Sequence, residues 1–317
     1  MLKLKIAILG SDGSAGAAIA DELLERGHEV LGINKTGKDK FGRAFDTKKV
    51  DILNYNLLLE ATQTSDLVIA AYYPIGHSLK TWSAEYPVFV KNLIELGQSG
   101  KRIIFVDSFD GIGQLNVNPI SEQTPYSPNS PKSQIRGYVS TTFEKALKEN
   151  LIQASIVKAS SLFGPYATRS IFGTLFFKPL FLNRKNIQLL PTKGFPFSFT
   201  YTRDLAEAVA IIAENPSVDG NIFVLPSMQP ASISEFAELI IDESKVPSKI
   251  SSMPNWLFKI KVFLDPYIRL ANEKQYLHKS ALLVDSTKFF QFFPNYSQAT
   301  NLEAIKETVN WFKRYLK

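Results

Sequence analysis

Short apolar runs alternate with longer amphipathic stretches up to residue 225, at the spacing of parallel β-α-β units. Lys3 to Leu9 reads as a strand, Ala17 to Arg26 as a helix closed by Gly27, and Glu29 to Ile33 as a second strand. Asp51 opens a short strand-end segment, and a helix follows over Leu57 to Thr64. Leu67-Val68-Ile69-Ala70-Ala71 is apolar without a break, as a strand buried on both faces requires. A helix over Glu85 to Leu96, a strand over Arg102 to Val106, a helix over Arg136 to Glu149 and a strand over Ala154 to Lys158 continue the alternation. A helix over Asp204 to Ala213 and a strand over Asn221 to Leu225 end it. From Pro226 on the pattern changes to short helices and loops, with amphipathic stretches over Ile233 to Asp242, Pro254 to Leu270 and Leu302 to Tyr315.

This order predicts an α/β fold built on a doubly wound parallel sheet. Residues 1–225 form the main domain and residues 226–317 a smaller lobe, to which residues 166–198 also contribute. Residues 110–135, rich in Pro, Ser, Asn and Gln, make a loop long enough to expect a function of it. In such a sheet, ligands sit over the carboxyl ends of the strands, here between sheet and lobe.

Composition narrows the chemistry. With no cysteine among 317 residues, disulfides and thiolate catalysis are excluded. His28, His77 and His278 have no metal-ligand spacing, so no metal is expected. No apolar run reaches the ~18 residues of a membrane span, and the first strand starts within a few residues of Met1; the expectation is a cytoplasmic protein without a membrane partner. The net charge of +6 is spread over dispersed lysines, with no basic run or nucleic-acid reader motif, so nucleic acid is not expected as a partner.

The stretch after the first strand carries the chemistry. Gly10, Gly13 and Gly16 have the spacing G-x-x-G-x-x-G between a strand and a helix. Glycines there let the backbone turn tightly and approach a pyrophosphate, while the helix N-terminus presents free N–H groups and a positive dipole end; Ser14 and Ala15 of the turn are expected to touch the cofactor too. Asp12 puts a negative charge beside that anion; it either caps the helix or weakens binding.

Further landmarks stand in a fixed order: Asp51-Ile52, Ala70-Ala71-Tyr72, Val106-Asp107-Ser108 through Gly113, Lys158-Ala-Ser-Ser-Leu-Phe-Gly-Pro165 and Thr200-Tyr-Thr-Arg-Asp-Leu-Ala206. Over nearly its whole length the chain resembles the extended short-chain dehydrogenase/reductases, the NAD-dependent epimerase/dehydratase type with a Rossmann sheet. The resemblance implies a cofactor cradle of Gly10, Gly13 and Gly16, with Asp51 and Ile52 at the adenine and Ala70, Ala71 and Tyr72 beside the nicotinamide ribose. It places Ser108 at the catalytic serine, Lys158 as a positive charge near the cofactor, and a nucleotide-sugar or related carbonyl or alcohol as substrate. Helices Glu85 to Leu96 and Arg136 to Glu149 correspond to the family's dimer surface, so a homodimer is expected.

The chain departs from the pattern at the catalytic pair. Family members carry Tyr-x-x-x-Lys on the helix after the long loop; anchored on Gly137 and Glu144, this chain has Arg136 for the tyrosine and Ser140 for the lysine. A lysine one turn on lowers the phenol pKa so that the tyrosine shuttles a proton. Tyr138 points roughly 200° away on a helix and does not replace it. Arg136 is no general base, but it can hold an anion or developing oxyanion; the plain alternative is an ion pair with Glu144 or a loop carboxylate. Arg-Gly here resembles the atypical branch of the family, so two readings stand: an NAD(P)-dependent enzyme with Ser108 and Arg136 at the nicotinamide, or a cofactor-binding sensor or assembly factor without chemistry.

Asn34, at the end of the second strand, removes the repulsion an acidic residue would exert on a 2′-phosphate, and Lys35 is available to bind it; NADP is favoured over NAD. Asp204 reads as a helix-start residue. Phe172, Phe176, Phe177, Phe181, Phe195, Phe197 and Phe199 read as core before pocket, while Arg169, Lys178 and Arg184 are available for a substrate phosphate. Trp256 to Leu270 has the amphipathicity of a membrane-surface helix, but Asp265-Pro266 interrupts it and packing within the small lobe is expected.

Overall fold

The computed structural model describes residues 3–74, 78–113, 118–182, 186–191, 194–265, 268, 269, 272 and 281–317. Seven parallel strands form the main sheet: β1 (Lys5–Leu9), β2 (Glu29–Asn34), β3 (Asp46–Lys49), β4 (Leu67–Ala70), β5 (Arg102–Ser108), β6 (Ala154–Ala159) and β10 (Ile222–Val224). Their order is β10-β6-β5-β4-β1-β2-β3, so the winding reverses between β1 and β4. Two small parallel pairs lie outside it, β7 (Leu162–Phe163) with β9 (Thr200–Tyr201) and β8 (Asn186–Leu189) with β11 (Lys249–Ser252). β3 and β8 have no sequence counterpart above: β3 is the polar edge strand Asp-Thr-Lys-Lys, without the apolar run that marks a buried strand.

The strand period sorts side chains onto two faces. Ile6, Ile8, Leu67, Ile69, Ile104 and Val106 join one core, with α1 (Ser14–Glu25) and α6 (Thr202–Glu214). Ala7, Leu9, Val68, Ala70, Ile103 and Phe105 join the other, with α3 (Leu79–Gln98) and α4 (Pro131–Lys148). Burial on both faces accounts for the unbroken apolar strands. A third core, rich in phenylalanine, lies under the smaller lobe and includes Phe172, Phe176, Phe177, Phe197 and Phe199. α7 (Ile233–Ser244) and the C-terminal helix Asn301–Tyr315 complete it; Phe195 is exposed.

α3 and α4 start earlier than the apolar periodicity suggests, because the side-chain caps Ser78 and Ser130 rather than hydrophobic residues set their first turns. α4 begins at Pro131, where the Ser130 hydroxyl accepts from Ser133 N and the Ser133 side chain answers to the Ser130 backbone. The inward stripe of α4 is polar, with Ser133, Arg136, Ser140 and Glu144 all buried. That stripe brings charge under the carboxyl end of β5.

Candidate functional site

A cleft of ≈ 680 Å³ runs from the glycine turn across the carboxyl ends of β1, β4, β5 and β6 to the small lobe. At its head, Gly10 has φ +84 and lies so near β4 that a Cβ would sit 2.8 Å from Ala71 O. A Cβ on Gly16 would sit 2.3 Å from Gly10 O, so α1 packs on the turn only because no side chain intervenes. α1 begins at Ser14 with Gly13 as N-cap and no side-chain cap, leaving first-turn N–H groups for an anion. Asp12 therefore does not cap the helix. It lines the cleft and interacts electrostatically with Lys40, whose ammonium is held below its ordinary pKa by burial and by Arg169, against the opposing pull of Asp12.

Gly10, Asp12, Gly13, Ser14, Ala15, Asn34, Lys35, Asp51, Ile52, Ala71, Tyr72, Ser108 and Arg136 all line this cleft. Gly16 and Ala70 stand behind it, one packed against the turn and the other buried in β4. Lys158 is turned away: its Nζ lies 2.7 Å from Glu144 Oε1 and 4.8 Å from the Tyr126 ring centre, so its charge is used inside the fold. Burial pushes Glu144 upward, but Lys158 and the Tyr126 hydroxyl more than offset this and hold it below the ordinary carboxylate value.

The grounds for preferring NADP change at β2. The buried Asn34 side chain organises its own loop, accepting from Thr36 N at 2.9 Å and Gly37 N at 2.8 Å and donating to Ser11 Oγ at 3.2 Å. Lys35 Nζ lies 3.1 Å from Glu85 Oε2, and Tyr72 donates to the same carboxylate. Lys35 thus already has a carboxylate partner, in a pair that is half-exposed on the lysine side.

Arg136 is 2% exposed. Its Nη2 lies 2.7 Å from Asp107 Oδ1, and its guanidinium lies 5.2 Å and 5.0 Å from the ring centres of Tyr73 and Tyr86. The partner is thus a strand-end carboxylate, not Glu144. Burial pulls Arg136 down to about 10 and pushes Asp107 up to about 6, the latter eased by Ser140, Lys158 and the Ser108 amide. Nε and Nη1 of Arg136 are buried without a hydrogen-bond partner, and the residue lines the cleft. Such orphaned donors are costly unless a ligand oxygen meets them.

Beside them, the Tyr73 hydroxyl donates to Asp110 Oδ2 at 2.7 Å, and the Ser108 hydroxyl accepts from Asp110 N at 3.3 Å. All three residues line the cleft. Tyr73 and Asp110 carry no motif signal, and only the stacking of Tyr73 on Arg136 brings them to notice. Tyr138 is exposed on the far side of α4 and does not line the cleft. Ile171, Thr174 and Leu175, rather than most of the phenylalanines, form the lobe wall, with Phe197 and Arg169. Arg184 lies outside the described residues. Among the described residues, no group of three or more His, Asp or Glu is placed to hold a metal ion, and no helix is long and apolar enough to cross a membrane.

A doubly wound parallel sheet with a glycine turn at its switch point defines a dinucleotide-binding α/β protein. The model of the NAD dependent epimerase/dehydratase family matches residues 6–225, and the chain belongs to that family. It is 25% identical to the UDP-N-acetyl-alpha-D-glucosaminuronate decarboxylase of Bacillus cytotoxicus, with 98% of each chain covered. Among solved structures it is similar to the UDP-glucose 4-epimerase of Thermotoga maritima, with UDP-glucose, at a TM-score of 0.81 and 15% identity over 99% of this chain and 100% of that one. It is also similar to the Bordetella bronchiseptica enzyme WbmH, in complex with NAD+, at a TM-score of 0.74 and 18% identity over 98% and 99% of the two chains.

Proposed function

We propose that the protein is an NAD-dependent enzyme that acts on a nucleotide-sugar by hydride transfer. The observation that carries this reading is a continuous cleft that joins the glycine turn to the lobe and is lined by Ser108 and the buried Arg136. Gly10, Gly13 and the first turn of α1 would hold the pyrophosphate, with Asp51 and Ile52 at the adenine and Ala71 and Tyr72 at the nicotinamide ribose; all of these residues line the cleft. When bound, NAD supplies the hydride acceptor. The relatives named above, a UDP-sugar decarboxylase and a UDP-glucose epimerase, support a nucleotide-sugar as the class of substrate.

The chain's own residues supply the rest. Arg136 and Ser108 receive the oxygen on the reacting carbon. Its proton passes to the Tyr73 phenol as that phenol passes its own to Asp110. Asp107 keeps Arg136 aimed. Titration calorimetry should show NAD binding about tenfold more tightly than NADP, and nicotinamide absorbance should change on adding UDP-sugars. Arg136→Lys keeps the charge but loses the fork and should lower kcat about 100-fold. A panel of UDP-sugars with tight cofactor binding and no turnover would sink this reading.

A second reading, a cofactor-binding protein without chemistry, draws on the Arg136–Asp107 ion pair, which takes the place of the family's Tyr/Lys pair. In that case Arg136→Lys alters stability alone.

A further inference from the structure

Helix α8 (Asn255–Leu264) is a feature that the cleft chemistry does not use. Only Phe258 of its ten residues is buried, joining a small core of Leu190, Met253 and Ile268. Trp256, Ile260, Phe263 and Leu264 are 66%, 49%, 78% and 70% exposed. At about 100° per residue these four fall within one stripe roughly 100° wide, opposite Phe258. Lys259 and Lys261 flank the stripe on either side, and the helix has no acidic residue. The packing within the lobe expected from the sequence is therefore only half the arrangement: one face of α8 packs, and the other is apolar and open.

We propose that α8 seats the molecule on an anionic lipid surface, lying in the plane of the interface. Three observations point to lipid rather than protein. Lysines on both flanks of an apolar stripe bury their stems and reach out to anionic headgroups. Arg269 donates to the carbonyls of Val262 and Phe263, so the helix end enters a low-dielectric layer with acceptors already met. Four side chains also fall short of the roughly 800 Å² per partner that a stable protein interface needs.

The small core that Phe258 joins is also packed by Ile171 and Leu175, which line the cleft wall. Docking α8 thus brings the lobe side of the cleft close to the bilayer, where a substrate or product with a lipid tail would be met.

Co-sedimentation of the full chain with vesicles tests this. The chain should pellet with vesicles of phosphatidylcholine plus phosphatidylglycerol, not with phosphatidylcholine alone, and less as salt rises. Phe263→Ser with Leu264→Ser, and Lys259→Glu with Lys261→Glu, should each cut the bound fraction about tenfold while leaving the unfolding midpoint in place. Failure to pellet with phosphatidylglycerol vesicles, or pelleting undiminished in both variants, overturns the proposal. So does conversion of a dimer to a monomer by the serine pair in light scattering, since a second copy would then cover the face.

Discussion

Asp204 shows how burial alone sets a charge. It sits in the first turn of α6, accepts from Ala299 N and leaves Oδ2 without a hydrogen-bond partner. Burial, and then Glu207, Glu303 and Glu307, push its carboxyl up to about 7, against the help of the Ala299 amide. A folded pKa above the unfolded value means that the folded state holds the proton more tightly. The stability it contributes is complete at low pH and is lost as pH rises from about 4 through about 7. Asp204→Asn keeps the acceptor for Ala299 and removes the charge. Urea denaturation should show it more stable than wild type by on the order of 2–4 kcal/mol at pH 8 and not at pH 4. Arg136 obeys the opposite logic, since its partner is as buried as it is. Arg136→Ala leaves Asp107 unpaired and should cost about 3–5 kcal/mol, while Arg136→Met with Asp107→Leu should recover most of that loss.

At the scale of elements, the turn from β1 into α1 tolerates the least. A methyl group on Gly16 meets the Gly10 carbonyl at 2.3 Å, so Gly16→Ala must push α1 off the turn. Calorimetry should show NAD affinity falling at least about tenfold, with the far-ultraviolet spectrum little changed. α4 depends on its cap instead: Ser130→Ala removes the acceptor for Ser133 N and should lower stability by about 1 kcal/mol. The glycine turn, the buried strands and α6 were legible from sequence because each repeats a local signal, whether spacing, an apolar run or a first-turn acid. β3 and β8 were not, because edge strands with polar or mixed residues repeat none. The start of α4 was hidden for a related reason: its inward stripe of Ser133, Arg136, Ser140 and Glu144 has the pattern of a surface.

For the whole molecule, the cleft unites residues from several strand ends and the lobe, so a bound dinucleotide should stabilise the fold as one unit. NAD at about 100 times its Kd should add about 2.7 kcal/mol, and thermal scans with NAD and NADP would rank the two cofactors directly. Sequence by itself determined the family, the parallel sheet and the cofactor end, because glycine spacing and two-faced apolar strands act over short stretches of chain. It also raised the expectation that Arg136 and Ser140 stand where the family pattern has Tyr and Lys, since that pattern is local to one helix. What Arg136 meets was decided only by tertiary structure. Asp107 comes to Arg136 from another element, Tyr73 stacks on the guanidinium from the end of β4, and Asp110 accepts from Tyr73. Lys158 and Lys35 carry the same charge in sequence as a cofactor ligand would; in the fold each has a carboxylate partner, Glu144 and Glu85, from another element. A side chain's charge is a property of the residue, but its partner is a property of the fold.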